Sequence, residues 1–223
     1  MDFMIKLDNV HLSLTGGGGP VNILRGVNLH AVHGETVSIV GPSGAGKTTL
    51  LMAMAGLERV DSGRVTIAGE SIDQLHEQQL ARFRRKQIGI VFQSFHLIGT
   101  MRAWENVALP LEFSGVSHAK EKAQAALAAV GLQARASHYP GELSGGEQQR
   151  VAIARAFVAE PALILADEPT GNLDLDTGAS VIDLLFRLHA ESGTTLVLVT
   201  HDTALAKRCD HTLQMIDGKI QTS

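Results

Sequence analysis

The chain has 223 residues, a formal net charge of −4, and 44% hydrophobic but only 4% aromatic residues. That length holds one large domain or two small lobes, and the apolar fraction excludes a disordered chain. The charge balance gives no electrostatic support for a nucleic-acid partner, and Cys209, as the only cysteine, excludes an internal disulfide.

With so few rings, the core must be built from Ala, Leu, Ile and Val, which suits α/β layers with buried parallel strands. Met1 to Lys6 lacks a basic start followed by an apolar run, so no secretory signal is expected. No window approaches the ~18 to 20 apolar residues that span a bilayer. A membrane role therefore needs a separate partner.

In chain order, Ile5 to Leu12 alternates apolar and polar residues with a break at Asn9, and reads as a half-buried strand. Gly16 to Gly19 followed by Pro20 reads as a flexible turn. Val27 to Leu29 and Thr36 to Val40 give two short strands, punctuated by His33-Gly34-Glu35. A glycine-rich loop follows, then a helical pattern from Lys47 to about Leu57. Val65 to Gly69 reads as an edge strand, Glu77 to Lys86 as a polar helix, and Ile88 to Phe92 as a buried strand ending at Gln93.

The middle of the chain is helical in character. A helix is expected over Ala119 to Val130, with Ser117 as its N-cap, and a second from about Ser144 to Glu160. The loop between them, Gly131 to Glu142, contains Pro140 and Gly141. Residues 94–160 read as a helical lobe inserted into an α/β core. The core resumes with the strand Leu163 to Ala166, a helix near Thr177 to Ser192, and the strand Thr194 to Thr200; this alternation predicts a parallel sheet. The Asp217-Gly218 pair between apolar residues predicts a closing hairpin.

Three stretches carry chemistry. Gly41-Pro42-Ser43-Gly44-Ala45-Gly46-Lys47-Thr48 fits G-x-x-x-x-G-K-[ST], with a strand before it and a helix after it. Its glycines let backbone N–H groups turn toward phosphate oxygens, and the helix adds its positive end. Lys47 is expected to reach the outer phosphates and Thr48 to ligate Mg²⁺. The motif specifies a nucleotide site and no particular reaction.

Leu163-Ile164-Leu165-Ala166-Asp167-Glu168 is an aliphatic strand ending in two carboxylates, where ligands of such sheets bind. Asp167 is the candidate Mg²⁺ ligand and Glu168 the candidate general base. Strand neighbours point to opposite sides, so the two can hold different jobs.

Leu143-Ser144-Gly145-Gly146-Glu147-Gln148-Gln149-Arg150 combines S-x-x-E capping-box spacing with two glycines in a first helical turn. Alone, the spacing describes an ordinary capped helix. The glycines cost ~1 kcal/mol each relative to Ala, so a bare backbone is needed there. One reason is a second phosphate clamp.

Leu143 to Arg150 resembles the signature motif of the ABC ATPases and precedes the acidic strand by that family's usual interval. Gln93 resembles the Q-loop glutamine, His201 the switch histidine, and Asp174 in Gly171-Asn172-Leu173-Asp174 the D-loop aspartate. The resemblance covers essentially the whole chain, residues 1–223, as a single ABC ATPase domain. Within the family, Val91 to Ile98, Glu105 to Pro110 and Ala166 to Asp174 look like the LolD/MacB/FtsE-like group. Leu143 to Phe157 and Ala206 to Asp210 look like its YbbA type in particular.

The resemblance implies an α/β P-loop NTPase (RecA-like) core with a mostly parallel sheet, formed by residues 1–93 and 161–223. It also implies an N-terminal antiparallel β subdomain and the inserted helical subdomain at 94–160. It implies ATP hydrolysis with Mg²⁺, and a homodimer holding two ATP between its subunits. It places Gly41 to Thr49 on the nucleotide, and brings Ser144, Gly145, Gly146 and Asp174 to it. Gln93 is implied as a Mg²⁺ or water contact, with Asp167 and Thr48 on the metal and Glu168 and His201 at the γ-phosphate.

The implied partner is an integral membrane permease of the YbbP/LolC/MacB kind, on the cytoplasmic face of the inner membrane. An FtsE-like ATPase that transmits force rather than transporting is the alternative. A soluble ABC ATPase acting in DNA repair or translation is another rival, and a P-loop kinase or GTPase is a third, more distant reading. Leu14 departs from the family: most members place an aromatic there against adenine, so base contact falls to Leu14 and Ile23 and is expected to be weaker.

Overall fold

The computed structural model describes residues 3–16 and 19–221. Of the turn expected over Gly16 to Gly19 and Pro20, Gly17 and Gly18 lie outside the described residues, whereas Gly16 pairs with Gly19 and Pro20 with Thr15 as strand residues. The chain forms two compact units, residues 1–84 with 195–223, and residues 85–194. The helical segment 94–160 thus lies in one unit with the acidic strand.

In the first unit, β1 (Phe3–Gly16) and β2 (Gly19–Val32) form a long antiparallel pair, continued by β4 (Ser62–Ile67) and β5 (Glu70–Ser71) in the order β2-β1-β4-β5. The break read at Asn9 is real: the register shifts between Leu7 and Val10, and Asn9 takes a left-handed φ of 48°. Both strands extend well beyond the runs the alternation predicts. The bulges reset the period of 2 within them, which hides their length from a pattern search. Residues Val65 to Ile67 do not form an edge, since β4 lies between β1 and β5; Ala68 and Gly69 make the turn that follows.

The second sheet of this unit runs β10-β9-β3-β8, from β3 (Thr36–Val40), β8 (Thr195–Val199), β9 (His211–Ile216) and β10 (Lys219–Gln221). β3 pairs in parallel with both β8 and β9. β8 is buried at every position, as its unbroken aliphatic run requires. β9 and β10 close as the predicted hairpin, with Asp217 and Gly218 both at positive φ (46° and 76°). Two helices complete the unit, α1 (Lys47–Met54) and the short α7 (Thr203–Ala206), and α2 (Glu77–Gln87) runs across its boundary at Arg84.

In the second unit, β6 (Ile88–Val91) and β7 (Leu163–Asp167) pair in parallel, with Ile88 opposite Leu163 and Val91 opposite Ala166. β7 is buried throughout, whereas β6 alternates. Of the helices α3 (Ala103–Phe113), α4 (Ala119–Ala129), α5 (Gly145–Phe157) and α6 (Leu175–Ser192), α5 packs on β6, and the other three pack on α5. Gly89 lets α5 approach β6 closely, because a Cβ there would sit 2.2 Å from the Ala156 carbonyl oxygen.

Ser117 does not cap α4. The N-cap is His118, held at φ 58° and making no side-chain cap bond. The loop before α3 is tied by Asn106, which is fully buried. Its amide donates to the carbonyls of Ile98, Met101 and Arg102, and its oxygen accepts the Ile98 N–H at 2.7 Å. Both polar atoms of this buried side chain are therefore partnered.

Candidate functional site

In the first unit, the loop after β3 holds Gly44 at φ 80° and Gly46 at φ 98°, a region L-residues rarely enter. Gly41 has no room for a side chain: a Cβ would lie 2.1 Å from the Met215 carbonyl oxygen. Gly46 is the N-cap of α1, and no side chain caps that helix end. Ala45 accepts the Gly218 N–H at 3.1 Å, so the β9–β10 hairpin buttresses the loop. Lys47 is nearly buried and folds back, its Nζ donating to the carbonyls of Gly41 at 2.8 Å and Pro42 at 3.0 Å. The ammonium is thus held inside the curl of the loop. Thr48 and Thr49 follow it on the first turn of α1.

Ile23 is the unpaired residue of a β-bulge, since Leu12 pairs with Leu24 and Ser13 with Asn22. Its Cγ2 lies 3.2 Å from where a Cβ of Gly46 would stand, so it borders the phosphate loop. Leu14 pairs with Val21 and is a partly exposed apolar side chain, at 38%. His201 is exposed just after β8, ahead of Asp202, which caps α7 by accepting from the N–H groups of Ala204 and Leu205.

In the second unit, Asp167 ends β7 and is buried. Glu168 lies past the strand, at φ 46°, so strand alternation stops at Asp167 and a left-handed residue sets the direction of the candidate base. A non-glycine residue in that region stores strain of ~1–3 kcal/mol, and such strain gathers at functional positions. The Glu168 carbonyl accepts the Gly171 N–H at 3.0 Å, closing the turn that follows.

Gln93 meets this turn. Its Nε2 donates to Asn172 Oδ1 at 3.4 Å, and Asn172 Nδ2 donates back to the Gln93 carbonyl at 3.0 Å. Gly171 leaves the space, because a Cβ there would stand 2.6 Å from Gln93 Nε2. The loop after Gln93 is held by Arg155, a residue the sequence reading missed. Its guanidinium donates to the carbonyls of Phe95 and His96, both at 2.7 Å. Those residues take φ 60° and 48°, and burial pulls the pKa of Arg155 below its ordinary value. Arg155 lies about 60 residues from its partners, so no local pattern reveals it.

The capping box at α5 forms as the spacing requires. Ser144 Oγ accepts the Glu147 N–H at 3.3 Å, and Glu147 Oε2 accepts the Ser144 N–H at 2.8 Å. Ser144 is exposed and Gly145 half-buried, but Gly146 is buried. A Cβ on Gly146 would lie 2.4 Å from Thr177 Cγ2 on α6. Packing inside this unit therefore already demands a bare backbone at Gly146. Asp174 caps α6, its Oδ1 accepting the Thr177 N–H at 3.0 Å; that bond holds its carboxyl below the usual range. It is a helix cap in its own right.

Such a phosphate loop, acidic strand end and capped glycine helix start define the class of P-loop ATPase cassettes. The profile described as ABC transporter matches residues 24–171. The chain is 47% identical to the ABC transporter ATP-binding protein YbbA of Escherichia coli (strain K12), covering 98% of this chain and 96% of that one. It is 49% identical to the lipoprotein-releasing system ATP-binding protein LolD of Bacteroides thetaiotaomicron, over 98% and 99% of the two chains. Among solved structures, a dimeric post-hydrolysis state of the ATP-binding cassette MJ0796 bound to ADP and Pi superposes with a TM-score of 0.91 at 41% identity, covering 98% of this chain and 97% of that one.

The chain belongs to the ABC transporter family and is its ATP-binding, ATP-hydrolysing cassette. Among the described residues, no helix is long and apolar enough to cross a membrane.

Proposed function

We propose that two copies of this chain close head-to-tail around two ATP molecules and thereby drive a separate integral membrane permease of the YbbP/LolC/MacB kind. The chain would act peripherally, on the cytoplasmic face of the inner membrane. The observation that carries this reading is the exposed helix end at Ser144, capped and bordered by glycine, in a chain similar to a cassette solved as a dimer with ADP and Pi. In the proposal, residues 94–160 are the lobe that presents this end, and 1–93 with 161–223 the part that binds nucleotide.

Each residue then has a task. The amides of Gly41 to Thr49 and the Lys47 ammonium grip the phosphates, with Leu14 and Ile23 against the base. Ser144, Gly145 and Gly146 of the second copy complete the contacts to the γ-phosphate, with Asp174 close by. Glu168 accepts the proton of the attacking water, while Gln93 and His201 hold that water and the γ-phosphate.

Thr48, Gln93 and Asp167 offer the hard oxygen donors that suit Mg²⁺. That ion is commonly held by one or two carboxylates plus phosphate oxygens rather than by an all-protein cage. When bound, the ion would neutralise the charge on the phosphate oxygens.

The split site explains the switch. Only the closed state makes both sets of phosphate contacts, so ATP favours closure. Moving the equilibrium from 1:99 to 99:1 takes ~5.5 kcal/mol. Charge-assisted hydrogen bonds at ~1.5–3 kcal/mol each, over two sites, supply it.

The test is Glu168→Gln with Mg-ATP. Loss of a general base lowers the rate by ~10² to 10⁴, so the variant should form a dimer by light scattering and barely hydrolyse ATP. Wild-type turnover, or a monomer, refutes the reading. Co-purification of a membrane permease with the chain tests the partner.

A further inference from the structure

Glu147 sets a carboxylate in the first turn of α5, the helix end that the proposed function assigns to a triphosphate. A helix N-terminus carries roughly half a positive charge. One ionised carboxylate more than cancels it, and an anion would then be repelled. The hydrogen bond from Ser144 holds the Glu147 carboxyl below its ordinary range, so it is ionised at neutral pH.

The opposing charge is Arg135. Its Nε–H donates to Glu147 Oε1 at 3.0 Å, while Oε2 is taken by the Ser144 N–H. Arg135 stands on a single 3₁₀ turn (Gln133–Arg135), 12 residues before Glu147. The pair is partly open, with 49% of the Arg135 side chain and 26% of the Glu147 side chain exposed. Nη1 of Arg135 also lies 3.3 Å from His138 Nε2. With the guanidinium in place, the net charge at the helix end returns to positive.

We infer that Arg135 is a charge-compensating positioning residue: by pairing with Glu147 it keeps the Ser144 helix end attractive to the triphosphate carried by the second copy. This rests on the dimer proposed above. A half-exposed ion pair stands for about 1.5- to 5-fold per site. With two sites per dimer, losing the cation should weaken dimerisation about 2- to 30-fold.

The experiment measures the Mg-ATP-dependent dimerisation constant by analytical ultracentrifugation in a Glu168→Gln background. Adding Arg135→Gln should weaken the dimer by that factor, and more at low salt than at high. Arg135→Lys, which keeps the charge, should stay near the parent. Glu147→Gln removes the carboxylate that needs compensation, so adding Arg135→Gln to it should cost little further. The inference is overturned if Arg135→Gln changes nothing, or if its effect is as large in the Glu147→Gln background as it is with Glu147 in place. A monomeric parent overturns the dimer itself, and with it any role for Arg135 there.

Discussion

Replacing Gly146 by alanine separates two reasons for a bare backbone at the start of α5. The added Cβ would lie 2.4 Å from Thr177 Cγ2, far inside van der Waals contact, while the next atom, Thr177 Cβ, is at an ordinary 3.8 Å. Thr177 is β-branched and stiff at χ1, and its N–H is bound by Asp174, so it yields poorly. Forcing a methyl group into a packed contact costs about 1–3 kcal/mol. Alanine returns up to about 1 kcal/mol of helix propensity.

Taking the middle of that cost, about 2 kcal/mol, less the propensity gain, a net loss of about 1–2 kcal/mol is expected, a melting temperature lower by roughly 2–8 °C for a chain of this size. The assay is thermal unfolding of the nucleotide-free protein, in which phosphate plays no part. In a Thr177→Ser background, which lacks the clashing methyl, the same alanine should be neutral or stabilising; the cycle isolates the contact. The packing argument is refuted if Gly146→Ala melts at or above the parent, or if Thr177→Ser gives no rescue. ATP hydrolysis by the rescued double variant then reads whether the nucleotide also needs the glycine.

Leu14→Tyr should tighten ATP binding by about 5-fold or more, since ring stacking on a base contributes ~1–3 kcal/mol; unchanged affinity in a fluorescent-nucleotide titration removes Leu14 from the base contact. Burial raises the pKa of Cys209 from 9.0 to about 11. Iodoacetamide should therefore modify it slowly at pH 8 in the folded protein and fast after denaturation. Because this group's folded-state pKa is raised, its contribution to stability is present below about pH 9 and is lost as the pH rises through about 11. Rapid alkylation of the native protein at pH 8 would contradict the assigned burial.

Much of the candidate site is legible in the sequence because its determinants are local. The phosphate loop is a run of eight residues in which Gly44 and Gly46 take the positive φ that favours glycine. The Ser144–Glu147 box and the Asp217-Gly218 turn bond across three residues or fewer. Local logic also misleads. A serine before an alanine-rich helix suggested a cap at Ser117, but His118 stands at φ 58° instead. Bulges at Asn9 and Ile23 broke the alternation and concealed how far β1 and β2 run. Glu168 turned out to lie past its strand in a left-handed conformation, which no pattern of residue types encodes.

By itself, then, the sequence determined the class of fold, the glycine loop and the capped start of α5, since backbone conformation and capping depend on neighbours a few bonds away. Tertiary structure decided the partners. Gln93 meets Asn172 across 79 residues, and Arg155 holds the loop at Phe95 across 60. Glu147 meets Arg135, and Gly146 is kept bare by Thr177. Those choices follow from which side chains the packing of β6, β7 and the helices brings within a few ångströms, and chain spacing carries no record of that.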